Sequence, residues 1–245
     1  MWLERDGEPR PDDDMIAERL ALGVYLLEAR RHPDSGLDAI VDPHRSTAER
    51  AAALAKHRID PQTRVRVLAT PADAPDTGDP SGIVPTRYGL LKATLDRHGT
   101  LTPPQPAGIG TWTRADQAPE SWDAAVIALR LTDPTTPTVD ATDLGAMLLL
   151  AQAHDPDNPH QDVRTLATLD QRSADILRTL VEADSIRSAA ATLGMHHSTV
   201  QARHEALTTT LGYDPRTTTG RMRYIAAALL LRLTDPLTPG RTQSA

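Results

Sequence analysis

The sequence predicts an α+β fold, with an N-terminal helical and mixed α/β domain followed by an all-helical domain. Three observations lead there. Between residues 15 and 154 the apolar spacing switches from helical to alternating and back, with Val65 and Val67 set between Arg64 and Arg66 in the clearest strand. Beyond Gln161 the spacing is helical throughout. Between the two parts lies Asp155-Pro-Asp-Asn-Pro159, a run of turn formers that breaks any regular element.

Each element has its own local reason. Residues 1–14 are acidic and proline-bearing and read as a flexible tail. Ile16, Leu20, Val24 and Leu27 then recur at helical spacing, predicting an amphipathic helix over Met15 to Arg31. Ser46-Thr-Ala-Glu49 is a capping box and starts a helix that runs to about His57. A strand over 64–70 is followed by a Pro/Asp/Gly loop over 72–79, one or two strands within 83–95, and another over 108–113. A helix over 122–131, a short strand at Thr138-Val139 and a strongly apolar helix over 143–154 complete the first domain. The expected boundaries are a tail over 1–14, a domain over 15–154, a linker over 155–161, a domain over 162–235 and a tail over 236–245. The second domain holds a helix with Ala174, Leu177, Leu180 and Val181 on one face, a helix over 185–193 stopped by Gly194, a helix over 197–211 and a last helix over 220–233. Met222, Ile225, Leu229 and Leu233 of that last helix are expected in the core.

Composition narrows the function. With 39 % hydrophobic and 24 % charged residues in 245, the chain reads as an ordinary globular protein. Phe is absent and only three Trp and four Tyr occur, so Ala, Leu and Val fill the core, which favours helices packed through small side chains. The lack of Cys excludes disulfides, thiolate metal sites and cysteine nucleophiles. The start of the chain lacks the basic and then apolar pattern of a secretory signal, and the runs at 147–151 and 225–231 are too short to span a bilayer. A cytoplasmic location and no membrane partner are expected. Net charge is −7, yet from Ser185 to Arg232 six arginines (187, 203, 216, 221, 223 and 232) face only Glu205 and Asp214. That is a basic head on an acidic body, an asymmetry suited to nucleic acid.

The informative stretch is Ser185 to Leu207, S-I-R-S-A-A-A-T-L-G-M-H-H-S-T-V-Q-A-R-H-E-A-L. Ala189 and Ala190 are small enough for two helices to cross closely. Gly194 stands where a turn needs a left-handed residue, Met195 plugs the turn, and Val200 and Leu207 anchor the second helix. This is the pattern of a helix-turn-helix. Ser198 and Thr199 at the start of its second helix suit contact with phosphates or base edges. His197, Ser198 and Gln201 suit base edges in the major groove, and solvated surface is the competing reading. Arg221 and Arg223 suit either phosphate contact or capping of neighbouring carbonyls. A metal site at His196, His197 and His204 is not expected, because adjacent histidines diverge on a helix and no carboxylate cluster accompanies them. His204 reads as a packed residue whose protonation below about pH 6 would loosen the module.

On Ala190, Leu193, His196, Thr199, Val200, Arg203 and Leu207 this stretch resembles the C-terminal helix-turn-helix of the PucR/CdaR family of bacterial regulators. The flanks agree: Leu211-Gly-Tyr-Asp214 is similar to the family's exit from the motif, and Arg221 with the apolar helix after it is similar to its terminal helix. Glu49 to Thr70, Gly108-Ile-Gly110, Ala124-Ala125, Ala128-Leu129, Asp143-Leu-Gly145 and Leu148–Leu150 are similar to the family's GGDEF-like domain, which extends the resemblance over about residues 15–233. It implies a transcriptional regulator that binds double-stranded DNA, modulated at its N-terminal domain by a small-molecule effector or a protein partner. Dimerisation would set the spacing of its half-sites. The DNA-binding residues are then Arg187, His196, His197, Ser198, Thr199, Gln201, Arg203, Arg221 and Arg223.

The departures matter as well. His197 and Ser198 stand where the family has arginine and asparagine, Gln201, Glu205 and Ala206 where it has further arginines, and His204 where it has a leucine. Fewer cations mean fewer phosphate contacts and a shallower salt dependence. The alternative is therefore a protein-interaction or sensor module whose helix-turn-helix has lost DNA affinity; the sensor form needs an enclosed apolar pocket within residues 60–150. No enzyme activity and no cofactor are expected. There is no G-G-D/E-E-F, no paired carboxylates to hold magnesium, no G-x-S-x-G elbow, and Gly108-x-Gly110 is too short for a phosphate loop.

Overall fold

The fold is α+β. The computed structural model describes residues 36–234, so the helix expected over 15–31 and both terminal tails lie outside the described residues. The chain forms two compact units, the first ending at Gly145 and the second starting at Ala146.

Unit 1 opens with two helices, α1 (Leu37–Val41) and α2 (Thr47–Lys56). The capping box forms as expected: the Ser46 hydroxyl accepts from the Glu49 amide at 3.2 Å, and Glu49 Oε2 accepts from the Ser46 amide at 2.9 Å. Next come β1 (Arg64–Pro71), the hairpin β2 (Ser81–Thr86) and β3 (Gly89–Asp96), then β4 (Ala107–Ile109), β5 (Thr113–Arg114), α3 (Ala118–Arg130) and β6 (Thr138–Asp140). The sheet runs β2-β3-β1-β4-β6, and β5 also pairs with β1. Among the described residues only the β4–β6 pair is parallel. The strand expected over 108–113 is thus two short pieces on one partner. Gly108 and Ile109 pair with Ala69 and Leu68, and Thr113 and Arg114 pair with Val65 and Arg64. Between them the Gly110 amide still donates to the Val67 carbonyl at 2.8 Å, while Thr111 and Trp112 lie outside either strand.

The core of unit 1 sits between α3 and strands β1 and β4. α3 buries Trp122 and every residue from Ala124 to Leu129. The glycines of the facing segment let helix and strand approach closely. A Cβ on Gly108 would fall 2.0 Å from the Ala125 carbonyl oxygen, and one on Gly110 would fall 2.1 Å from that of Ser121. The buried Ser121 hydroxyl in turn accepts from the Val67 amide at 2.9 Å, a helix side chain satisfying a strand donor. Beside this seam Arg66 donates to the buried carboxylate of its cross-strand neighbour Asp96 at 2.9 Å, and lies 3.5 Å from Asp140. Burial alone would raise the Asp96 pKa, but Arg66 and the amides of His98 and Gly99 hold it below the usual carboxylate range. Arg64 and Arg66 both lie over the Trp112 ring, 5.4 and 5.1 Å from its centroid.

The apolar helix expected over 143–154 is broken. Asp140 accepts from the Thr142 amide and starts a 3-10 turn, Ala141–Leu144, which ends at Gly145 with φ 53° and ψ −131°. Only α4 (Ala146–Gln152) is α-helical, and it packs on the last helix of unit 2. Unit 2 continues with α5 (Gln161–Ala167), α6 (Gln171–Glu182), α7 (Ile186–Leu193), α8 (His197–Leu211) and α9 (Thr218–Thr234). α6 packs on both α7 and α8, and α5 on both α8 and α9. The expected core face of α9 is mostly not core. Leu233 is buried, but Met222 and Ile225 are 67 % and 52 % exposed, because Gly220, Ala227 and Leu230 on the opposite side face the packing instead.

Candidate nucleic-acid interface

The α7–α8 pair is built by its own sequence. Ser185 caps α7, its hydroxyl accepting from the Ser188 amide at 3.0 Å. Gly194 ends the helix in the left-handed region with φ 61°. The Met195 amide then donates to the Ala190 carbonyl at 3.0 Å and the Gly194 amide to that of Ala191 at 3.2 Å, the two bonds of a Schellman turn. His196 caps α8: its Nδ1 accepts from the Ser198 amide at 3.3 Å and lies 2.8 Å from the Ser198 hydroxyl. Three residues therefore separate the helices, the length a helix-turn-helix uses. Ala189, Ala190, Val200, Leu207 and Leu211 are buried and hold the two helices together.

With about 100° between successive residues, Val200, Leu207 and Leu211 share one side of α8. The opposite side carries Ser198, Ala202, Glu205, Ala206 and Thr209, all exposed. Small side chains dominate that outward face and permit close approach of the helix backbone. Ala202 was not singled out from sequence, and Ala206 drew notice only as a departure from the family's arginine, since alanine on a helix carries no polar signal; the helical phase fixed by the buried valine and leucines places both on this face. Gln201 flanks one edge of the face and donates to Glu205 at 2.9 Å. Thr199 and Arg203 flank the other. The positive charge of Arg203 contributes to holding Asp170 below the usual carboxylate range, after the amide and hydroxyl of Ser173.

The nine candidate residues therefore fall into two groups. Arg187, His197, Ser198, Thr199 and Arg203 are exposed on α7 and α8 together with His196, whose ring also serves as the helix cap; Gln201 is half-buried beside them. Arg221 and Arg223 stand apart, engaged inside the unit. Arg221 donates to the Ala183 carbonyl at 3.2 Å, and Arg216 donates to the carbonyls of Leu180, Ala183 and Asp184, so two arginines neutralise the C-terminal end of α6. Arg223 forms a two-pronged pair with Asp162, at 2.9 and 2.7 Å, and lies 4.0 Å over the Tyr213 ring. That pair holds the Asp162 carboxyl below its ordinary range against its burial.

His204 is packed as expected, and its Nε2 sits 2.8 Å from Asp214. Asp214 itself is held below the usual carboxylate range by the Arg216 amide and by His204.

Among the described residues no group of three or more His, Asp or Glu side chains is placed to hold a metal ion, and no helix is long and apolar enough to cross a membrane. Two clefts in unit 1, of about 430 and 380 Å³, are lined largely by residues 38–50 and 116–122, with Asp38, Arg50 and Asp116 among them.

No protein-family profile matches the chain, and no curated protein matches it. Among solved structures it is similar to the crystal structure of a regulator of polyketide synthase expression from Bifidobacterium adolescentis. The similarity covers 82 % of this chain and 97 % of that one, at 14 % identity and a TM-score of 0.32. At that TM-score the likeness carries no argument.

Proposed function

We propose that the chain is a DNA-binding transcriptional regulator rather than an enzyme. α8 reads the major groove of double-stranded DNA, α7 braces it, a homodimer sets the half-site spacing, and unit 1 takes the regulatory input from a small-molecule effector or a protein partner. One observation carries the reading: a three-residue turn, closed on Gly194 and capped by His196, supports an α8 whose outward face is small, exposed and nearly free of charge. Such a face can lie deep in a groove. His197, Ser198, Thr199 and Gln201 at its N-terminal end then meet base edges, Arg187 and Arg203 meet phosphate, and Ala202 and Ala206 suit the methyl groups of thymine.

A specific observation favours a second reading, the protein-interaction module. Arg216, Arg221 and Arg223 are engaged inside the unit, and Glu205 stands on the outward face. A face of small residues with one acidic group also suits another helix.

The deciding experiment is titration of the purified chain with fluorescent duplexes over a range of salt. The DNA reading expects binding that weakens with salt. Arg187→Ala and Arg203→Ala should each lower affinity for all sequences and reduce the salt slope by about 1, while sedimentation shows a dimer on the duplex. Absence of binding to any duplex at low salt overturns it and leaves the interaction module.

A further inference from the structure

On the sequence alone Glu205 counts against DNA, as a negative charge on the recognition helix. The geometry gives it a different task. Gln201 and Glu205 are one helical turn apart, and Gln201 Nε2 lies 2.9 Å from Glu205 Oε1. A carboxylate only accepts hydrogen bonds, so the amide edge turned toward Glu205 must be the NH₂ edge; the flipped amide would set oxygen against oxygen. Gln201 is also half-buried at the flank of α8, which restricts its stem. A free glutamine amide turns easily about its last bond and offers donor and acceptor in either order. This one is fixed in a single order, with Oε1 and the second N–H directed away from Glu205.

We propose that Glu205 is a positioning residue that fixes Gln201 to read adenine. The proposal rests on α8 entering the major groove. Of the four bases only adenine presents a donor, N6–H, beside an acceptor, N7, on that edge. Gln201 Oε1 accepts from N6 and its second N–H donates to N7. Guanine presents two acceptors, O6 and N7, so the fixed Oε1 meets O6 and the pair is rejected. Without Glu205 the amide turns over and donates to guanine as well, and the discrimination falls. The negative charge lowers affinity for every duplex, and the fixed amide supplies selectivity at one base pair. Where the related family places arginines, this helix substitutes a neutral reader with an acidic brace.

The test is enrichment of a randomised duplex pool by the full chain, with Gln201→Ala, Glu205→Ala and Glu205→Gln compared. The wild type is expected to favour adenine over guanine at one position by about fivefold or more. Gln201→Ala and Glu205→Ala lose the preference at that position and keep the others. Glu205→Gln weakens it as well, because the new amide donates as readily as it accepts and no longer holds Gln201 in one order, and it binds all duplexes more tightly. Circular dichroism melts of the variants stay with the wild type. A Glu205→Ala protein that enriches adenine as strongly as the wild type overturns the proposal and leaves the DNA reading standing. Enrichment of no duplex by the wild type removes the DNA reading and this proposal with it.

Discussion

Replacing Gly108 by alanine tests the closest seam in unit 1. The added Cβ would lie 2.0 Å from the Ala125 carbonyl oxygen, 2.3 Å from the Leu129 amide nitrogen and 2.9 Å from its Cα. All three are main-chain atoms of α3, so no rotamer change relieves them; the helix must retreat from β4 by roughly 1.5 Å to restore contact distance. α3 buries Trp122 and the run from Ala124 to Leu129, and a shift of that size opens gaps along the whole interface. Overpacking costs about 1–3 kcal/mol where side chains can adjust. Here the cost should reach about 3 kcal/mol or more, out of a domain stability of about 5–15 kcal/mol. Trp112 and Trp122, the two tryptophans among the described residues, both lie in unit 1, so urea unfolding followed by tryptophan fluorescence reports the unit carrying the change. Gly78→Ala is the control, since nothing lies within 4 Å of its Cβ and only its φ of +85° opposes a side chain; it should cost about 1 kcal/mol. If Gly108→Ala costs no more than Gly78→Ala, the close approach is not obligatory and this account of the seam is wrong.

Gly194→Ala meets no atom within 4 Å but must hold φ +61°; a loss of about 1 kcal/mol in a thermal melt is expected, and a much larger loss would mean that packing, not backbone conformation, selects the glycine. Asp162 is held below its ordinary pKa by Arg223, so its contribution is present above the unfolded carboxyl value near pH 4 and is lost as pH falls through the lower folded value. Asp162→Asn should therefore flatten the acid limb of unit 2 stability, followed by far-UV circular dichroism, and an unchanged limb would show that the pair does not act on folding. Met222→Ser and Ile225→Ser should each change stability by less than about 0.5 kcal/mol because both side chains are exposed; the buried Leu230→Ala should cost about 2–5 kcal/mol, and equal losses would return the α9 stripe to the core.

What could be read from sequence was what is decided within a turn or two of chain. Ser46 finds Glu49 three residues on, Val65 and Val67 point to the same face of a strand, and Gly194 closes a turn from its own conformational freedom. Each signal and its partner are neighbours. Carbonyl capping was one of the two roles the sequence offered Arg221, and it donates to the Ala183 carbonyl; the pairing of Arg223 with Asp162 was not legible, because only the packing of α5 on α9 brings them together. Asp162 and Arg223 are 61 positions apart. The break at Gly145 was hidden by the apolar run after it, which satisfies a helical pattern whether or not the helix extends backward. Gly108 and Gly110 drew notice as part of a strand, in the GGDEF-like resemblance and as a failed phosphate loop; their use as a place where a strand meets a helix backbone depends on a partner helix that local sequence does not specify.

The internal engagement of Arg216, Arg221 and Arg223 has a kinetic consequence for a protein that reads DNA. Clustered exposed cations steer a duplex toward a binding face and raise association toward about 10⁸–10⁹ M⁻¹s⁻¹ at low salt, whereas an unsteered encounter proceeds at about 10⁵–10⁶ M⁻¹s⁻¹. Arg223 is offset by the Asp162 carboxylate, and Arg216 and Arg221 are directed at the carbonyls that end α6, so less of their charge is presented to a phosphate backbone. If α8 binds DNA as proposed, encounters would be infrequent and selection would shift to residence time: a correct site would be distinguished by how slowly the complex leaves it, not by how quickly it is found.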